Sequence, residues 1–225
     1  MEWLYWFKLP RVTRSVSPTG ADSRNKPLEM GPSLLASLFL VVVTGHLNAL
    51  EKAAEKTGVR LSADQKAALF RQVCLFYYAL WHTLLLPTRI VQTGRVLREN
   101  MTAFRERVRG EIVKTIAQAD YLPETYRHWA TASSSEALEA HCHLYMKGVV
   151  PSSGDADIKK ILLVGQASLD RFVLDLAAQL HRRTCQIVGL LETEDALVHE
   201  AWWSRQSRLP AECVALFNHI VPLPE

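Results

Sequence analysis

The sequence predicts a mixed α+β protein: an N-terminal helical bundle followed by a small three-stranded parallel α/β unit. Three observations carry this expectation. Residues 33–148 hold long stretches with apolar side chains at helical spacing, separated by capping signals. Two short apolar runs, Lys160–Gly165 and Cys185–Leu191, flank an amphipathic stretch. Between these parts lies Val149–Asp157, rich in Pro, Ser, Gly and Asp, which reads as an interdomain linker. The expected organisation is therefore an arm and linker over 1–32, a helical domain over 33–148 and a small receiver-like or Rossmann-like α/β domain over 158–225. The alternative for the last part is helix throughout, because a short apolar run alone does not separate a buried strand from a buried helix.

The chain has 225 residues, 48% hydrophobic and 22% charged, with 10 Gly and 10 Pro. That composition excludes a collagen, a low-complexity chain and a polytopic membrane protein. The first ten residues are aromatic (Trp3, Tyr5, Trp6, Phe7) and end at Pro10. They lack the basic flank and long apolar stretch of a signal peptide. They read as a segment docked on the protein's own core, or alternatively as one that dips into a membrane interface with Lys8, Arg11 and Arg14 at the headgroups.

A helix is expected from about Ser33 to Lys56, with Gly58 placed to end it. Its run Gly31–Leu50 carries no charge. A spanning helix needs about 20 mainly apolar residues, and here Thr44, Gly45, His46 and Asn48 follow the strongly apolar Leu34–Val43. A central bundle helix is the preferred reading. Ser62 and Gln65 form a capping box that opens a second helix, running to Leu86 before Pro87. A third, from about Thr88 to Ala119, places Leu97, Met101, Phe104, Val108 and Ile112 on one face. A second capping box, Ser133–Glu136, opens a helix to about Lys147. Residues 33–148 thus read as four helices.

In the last third, Lys160–Gly165 reads as a buried strand and Ser168–Arg183 as a helix with Leu169, Phe172, Val173, Leu176, Ala177 and Leu180 on one face. Cys185–Leu191 reads as a second strand, and Cys213–Phe217 as a third after an irregular helix containing Trp202 and Trp203. Strand, helix and strand over about 30 residues make a βαβ unit.

This order resembles the first half of a response-regulator receiver domain, over residues 160–222. Glu194-Asp195-Ala196-Leu197 looks like that family's acidic start to its second helix. Phe217–Pro222 is similar to its phosphoacceptor strand end, with a Pro four residues after the acceptor. The acceptor position is Asn218, and Gly165 and Gln166 stand where the family has paired acidic residues. An amide does not take a phosphoryl group as a carboxylate does, and Mg²⁺ needs anionic oxygens. The resemblance therefore implies a degenerate, truncated module used for binding.

The charge is mild, +3 overall, but uneven: residues 151–225 carry seven basic and ten acidic groups, while 1–27 and 87–127 are each net basic. Such asymmetry favours packing of the basic and acidic parts against each other, or self-association. The four cysteines, Cys74, Cys142, Cys185 and Cys213, are widely spaced and read as reduced thiols in a cytoplasmic protein. His141-Cys142-His143 with Glu139 is the densest ligand cluster, but only Glu139 and His143 share a helix face. Glu124/His128 and Asp195/His199 have the same spacing, which usually marks a surface ion pair.

Arg95, Arg98, Arg105 and Arg109 lie along the third helix, on what the pattern gives as its exposed side. The interleaved Glu99, Glu106 and Glu111 argue for a solvated, self-paired surface over a nucleic-acid site. The interaction candidates are Trp3, Trp6, Arg95, Arg98, Arg105, Arg109, Trp202 and Trp203, since Trp and Arg are enriched in interface hot spots. No catalytic residue, metal ligand or cofactor is expected. The predicted function is non-enzymatic regulation or scaffolding through protein–protein contact, as a homodimer or with another protein, and nucleic acid is disfavoured. The alternatives are a peripheral membrane component, and a nucleotide or small-ligand module at the Gly165–Ser168 turn, where a helix N-terminus would face an anion.

Overall fold

Ser62 opens the helix around which the others pack. Its Oγ accepts from Gln65 N at 3.2 Å, and Gln65 Oε1 accepts from Ser62 N at 2.9 Å, the reciprocal bonds of a capping box. The computed structural model describes residues 28–56, 58–84, 101–132, 135–147, 166–189 and 220–222. Most of these are helical: α1 Pro32–Lys56, α2 Ala63–Leu84, α3 Met101–Gln118, α4 Glu124–Ala132, α5 Ser135–Met146 and α6 Gln166–Val188. Two three-residue strands, β1 Leu28–Met30 and β2 Ile220–Pro222, pair in parallel with Leu28 opposite Ile220.

Glycines end α1 and α6. Gly58 has φ 80° and Gly189 φ 73°, the left-handed region that glycine enters without a Cβ penalty. At the end of α1, Val59 N donates to Ala54 O at 2.9 Å and Gly58 N to Glu55 O at 3.1 Å, the paired bonds of a Schellman cap. At the end of α6 a bond from Gly189 N to Cys185 O, 2.9 Å, closes the last turn.

α2 packs against α1, α4, α5 and α6, so it is apolar nearly all round. Leu69, Phe70, Val73, Cys74, Phe76, Tyr77, Ala79, Leu80 and Trp81 are all buried. Phe39 of α1 meets Trp81 edge-on, with centroids 5.4 Å apart. Phe104, Val108, Ile112 and Ile116 recur every fourth residue and form the buried stripe of α3, which lies along α1. Tyr126 of α4 stacks on Phe70 at 4.3 Å. Burial, with Glu51 adding to it, pushes the Tyr126 phenol up to about 12. Phe172, Val173, Leu176, Ala177 and Leu180 of α6 join the same core, and Tyr145 of α5 donates to Leu176 O at 3.4 Å.

The mixed α+β expectation is corrected here. The described residues are mostly helical, and the run expected as a second strand continues α6: Cys185, Gln186, Ile187 and Val188 are its last turn. The physical reason is visible in the spacing. Val173, Ala177, Leu180, Thr184 and Val188 keep steps of three and four, so one helical face extends through Thr184, which is fully buried, to Val188 against the core. The Thr184 hydroxyl bonds back to Leu180 O at 2.8 Å and leaves no polar demand inside. The expected strands at Lys160–Gly165 and Cys213–Phe217 lie outside the described residues. The extended pair that is present joins 220–222 to 28–30, a segment expected to be linker.

The described residues of 33–148 also hold one helix more than expected. α4 follows Pro123, whose carbonyl accepts from Tyr126 N at 3.0 Å. Its nine residues are too few to show a sustained period in sequence.

Candidate functional site

Several described polar side chains converge at the junction of α2, α3 and α5. Arg105 and Arg109 are one turn apart on α3. Arg105 Nη2 lies 2.7 Å from Nε2 and 2.9 Å from Nδ1 of the buried His82 on α2. Arg109 is ion-paired with Glu139 of α5, and its side chain is only 13% exposed. Glu139 Oε1 lies 3.7 Å from His143 Nε2 one turn along α5. The His143 and His82 rings are 6.0 Å apart, and the Tyr78 ring lies 6.1 Å from His82.

This arrangement joins three helices rather than exposing a reactive group. Burial holds the Cys142 thiol well above the ordinary cysteine range, although Arg105 partly offsets it. Burial likewise raises Tyr78, with Cys142 adding and Arg109 and Arg105 opposing. Cys74 is raised by burial alone. The nucleophile is the thiolate, so Cys74 and Cys142 are expected to stay unmodified when the native protein is treated with iodoacetamide at pH 8. Both should react fully in urea, and peptide mass spectrometry reads the difference. Among the described residues, no group of three or more His, Cys, Asp or Glu is placed to hold a metal ion.

A second feature is the outward face of α1. Leu34 is 47% exposed and Val41 44% exposed, two turns apart on the same side, with Ser37 between them. No charged residue occurs from Gly31 to Leu50. Two hydroxyls on this helix turn back onto it, Ser37 Oγ donating to Ser33 O at 3.0 Å and Thr44 Oγ1 to Leu40 O at 2.9 Å, while Ser33 Oγ donates to Glu111 Oε2 of α3 at 3.2 Å. Their proton donors are thus satisfied without water. On the inner side, His46 Nδ1 lies 3.0 Å from the Tyr77 hydroxyl, which ties α1 to α2 through a buried polar contact.

Of the residues singled out from sequence, Arg105 and Arg109 are described, and the structure brings them together. They do not lie on the exposed side of α3; they face α2 and α5, and Glu106, Arg107, Gly110 and Lys114 occupy the solvent side instead. Trp3, Trp6, Arg95, Arg98, Trp202 and Trp203 lie outside the described residues, as do Gly165 and Asn218. The chain matches no family model, no curated protein and no solved structure. The second strand on which the receiver resemblance rests is helical as far as Val188.

Sequence spacing pairs Glu139 with His143 but links neither to Arg109 nor to His82. The available signal for His82 is its place as the lone histidine in the uncharged run Gln72–Thr88. A strongly polar side chain on a helix buried all round needs a partner from another element.

Proposed function

We propose that the chain is a non-enzymatic interaction module that engages another protein, or a second copy of itself, through the outward face of α1. The observation that carries this is a helix face with Leu34 and Val41 exposed, no charge from Gly31 to Leu50, and the Ser37 and Thr44 hydroxyls already bonded to the helix's own carbonyls. Water gains little from contact with such a face, and an apolar partner loses little by covering it. A helix packed there would meet small and branched side chains at spacing suited to close approach.

Light scattering on the eluting full-length protein tests the self-association form. The expected mass is that of a dimer, and Val41→Glu is expected to shift it to a monomer with unchanged helicity and melting temperature. A Val41→Glu protein that keeps both the dimer mass and all its pull-down partners would contradict the proposal.

One observation favours the second reading, attachment to a membrane. α1 contains an 18-residue window of mean hydropathy 1.8, long and apolar enough to cross a bilayer by length and composition. Against it, 44% of that window is buried inside the protein. Flotation with liposomes separates the two readings: co-flotation that Val41→Glu abolishes would favour the membrane.

A further inference from the structure

We propose that α1 pairs antiparallel with α1 of a second copy of this chain, each Leu34 seating over Gly45 of the other copy. This rests on the reading of the outward face of α1 as an interface, and it commits that face to one occupant. Leu34, Val41 and Gly45 fall within about 40° of one another around the helix, at 3.6 residues per turn. Leu34 projects from this face, 47% exposed. Eleven residues along, Gly45 has no side chain, and a Cβ placed there would meet no atom within 4 Å. The face therefore carries a knob and a notch about three turns apart.

Glycine in the middle of a helix costs stability relative to alanine. Nothing inside the protein asks for it at position 45, because the backbone is helical and the space beside it is open. A second backbone coming close from outside does use it. Gly110 of α3 is equally open, but Glu106, Arg107 and Lys114 beside it are exposed. A partner covering Gly110 would have to strip water from charges. A partner covering Gly45 would not.

Two features select a second copy. The knob and the notch lie on one helix, so a single two-fold axis uses both, and each contact is made twice. With position 34 opposite 45, Val41 comes opposite 38 and Ser37 opposite 42. Charge then fixes the direction. In this register residues 31–48 of one copy lie along 48–31 of the other, and that stretch holds no charged residue. A parallel pair in register would set Lys52 against Lys52 and Glu55 against Glu55, which are exposed, and like charges set opposite each other disfavour a pairing. At the flank, Glu111 of α3 accepts from Ser33 Oγ at 3.2 Å and pairs with Lys114, so this carboxylate is held to its own chain.

The dissociation constant of the full-length dimer, from sedimentation equilibrium, tests this. Gly45→Leu fills the notch in both copies and should weaken the dimer by about tenfold or more. In the monomer the same change meets open space and replaces glycine with a strong helix former, so the melting temperature of dilute, dissociated protein should hold or rise. Leu34→Ala removes the knob and should weaken the dimer by a similar factor. The double variant, Leu34→Ala with Gly45→Leu, moves the knob to the facing position and should pair to within about threefold of wild type, a rescue that only contact between 34 and 45 provides. A dimer that Gly45→Leu leaves unchanged overturns the proposal, as does a double variant that pairs no better than the single ones; loss of that dimer in Val41→Glu would still support the outward face as an interface. A monomeric wild type also overturns self-pairing. If Val41→Glu then abolishes pull-down partners, the face serves another protein, and if it abolishes none, both readings fall. Should Gly45→Leu fail to fold, Gly45→Ala decides: pairing as tight as wild type overturns the proposal.

Discussion

Trp81→Ala is expected to destabilise the protein by about 3–5 kcal/mol, the usual range for removing a large aromatic side chain from a core. Trp81 is 2% exposed and sits on the central helix α2, where Phe39 of α1 meets its ring edge-on at 5.4 Å. The loss combines the transfer free energy of the indole with the cavity left behind, because α2 is held by helices on several sides and cannot collapse into the gap. Against a total stability of about 5–15 kcal/mol, this brings the protein close to its unfolding threshold. Trp81→Phe should recover more than half of the loss. Urea unfolding followed by circular dichroism reads both values, and a loss below about 1 kcal/mol for alanine would show that the α1–α2 seam is not packed around this ring.

Glu139→Gln should cost about 2–3 kcal/mol. The substitution keeps the shape of the side chain and removes its charge. It leaves the Arg109 guanidinium, with a side chain only 13% exposed, without its carboxylate. Removing one member of a buried pair strands the other charge in a poorly solvated place, and the partial exposure of Glu139, 33%, keeps the loss below that of a fully buried pair. Replacing both partners, Arg109→Leu with Glu139→Leu, should return stability to within about 1 kcal/mol of wild type, since apolar contacts substitute for the desolvated pair. The same urea titrations give the coupling energy. If the double variant loses as much as the two single variants added together, the pair contributes nothing as a pair.

The helices that were legible in the sequence are those whose chemistry is local. The α1 stop at Gly58 and the α2 start at Ser62 rest on a glycine with φ 80° and on a capping box three residues long. The stripe Phe104, Val108, Ile112 was legible because one helical face repeats every three to four residues. The last turn of α6 was not, because Cys185-Gln-Ile-Val-Gly-Leu-Leu read alone satisfies the strand pattern as well as the helix pattern. The choice lies in what it packs against, namely α2 and the core, with Gln65 Nε2 3.4 Å from Ile187 O. The polar junction shows the same limit. Arg105 and Arg109 are visible as a pair on one helix, but no spacing rule reports that His82 and Glu139, 23 and 30 residues away from them respectively, close on them from two other helices. For Arg105 and Arg109 a solvated face could not be read correctly from the sequence, because neighbours on α3 say nothing about neighbours across it; Arg95 and Arg98 lie outside the described residues.

Everything expected of α5 and proposed for the outward face of α1 depends on one helical core that includes α6. Backbone Cα chemical shifts over residues 180–189 test it most directly. A helix held to Val188 and ended by Gly189 gives downfield Cα shifts at Cys185, Gln186, Ile187 and Val188, continuous with those of Leu180. Upfield shifts at those four residues, the mark of an extended strand, would contradict the account.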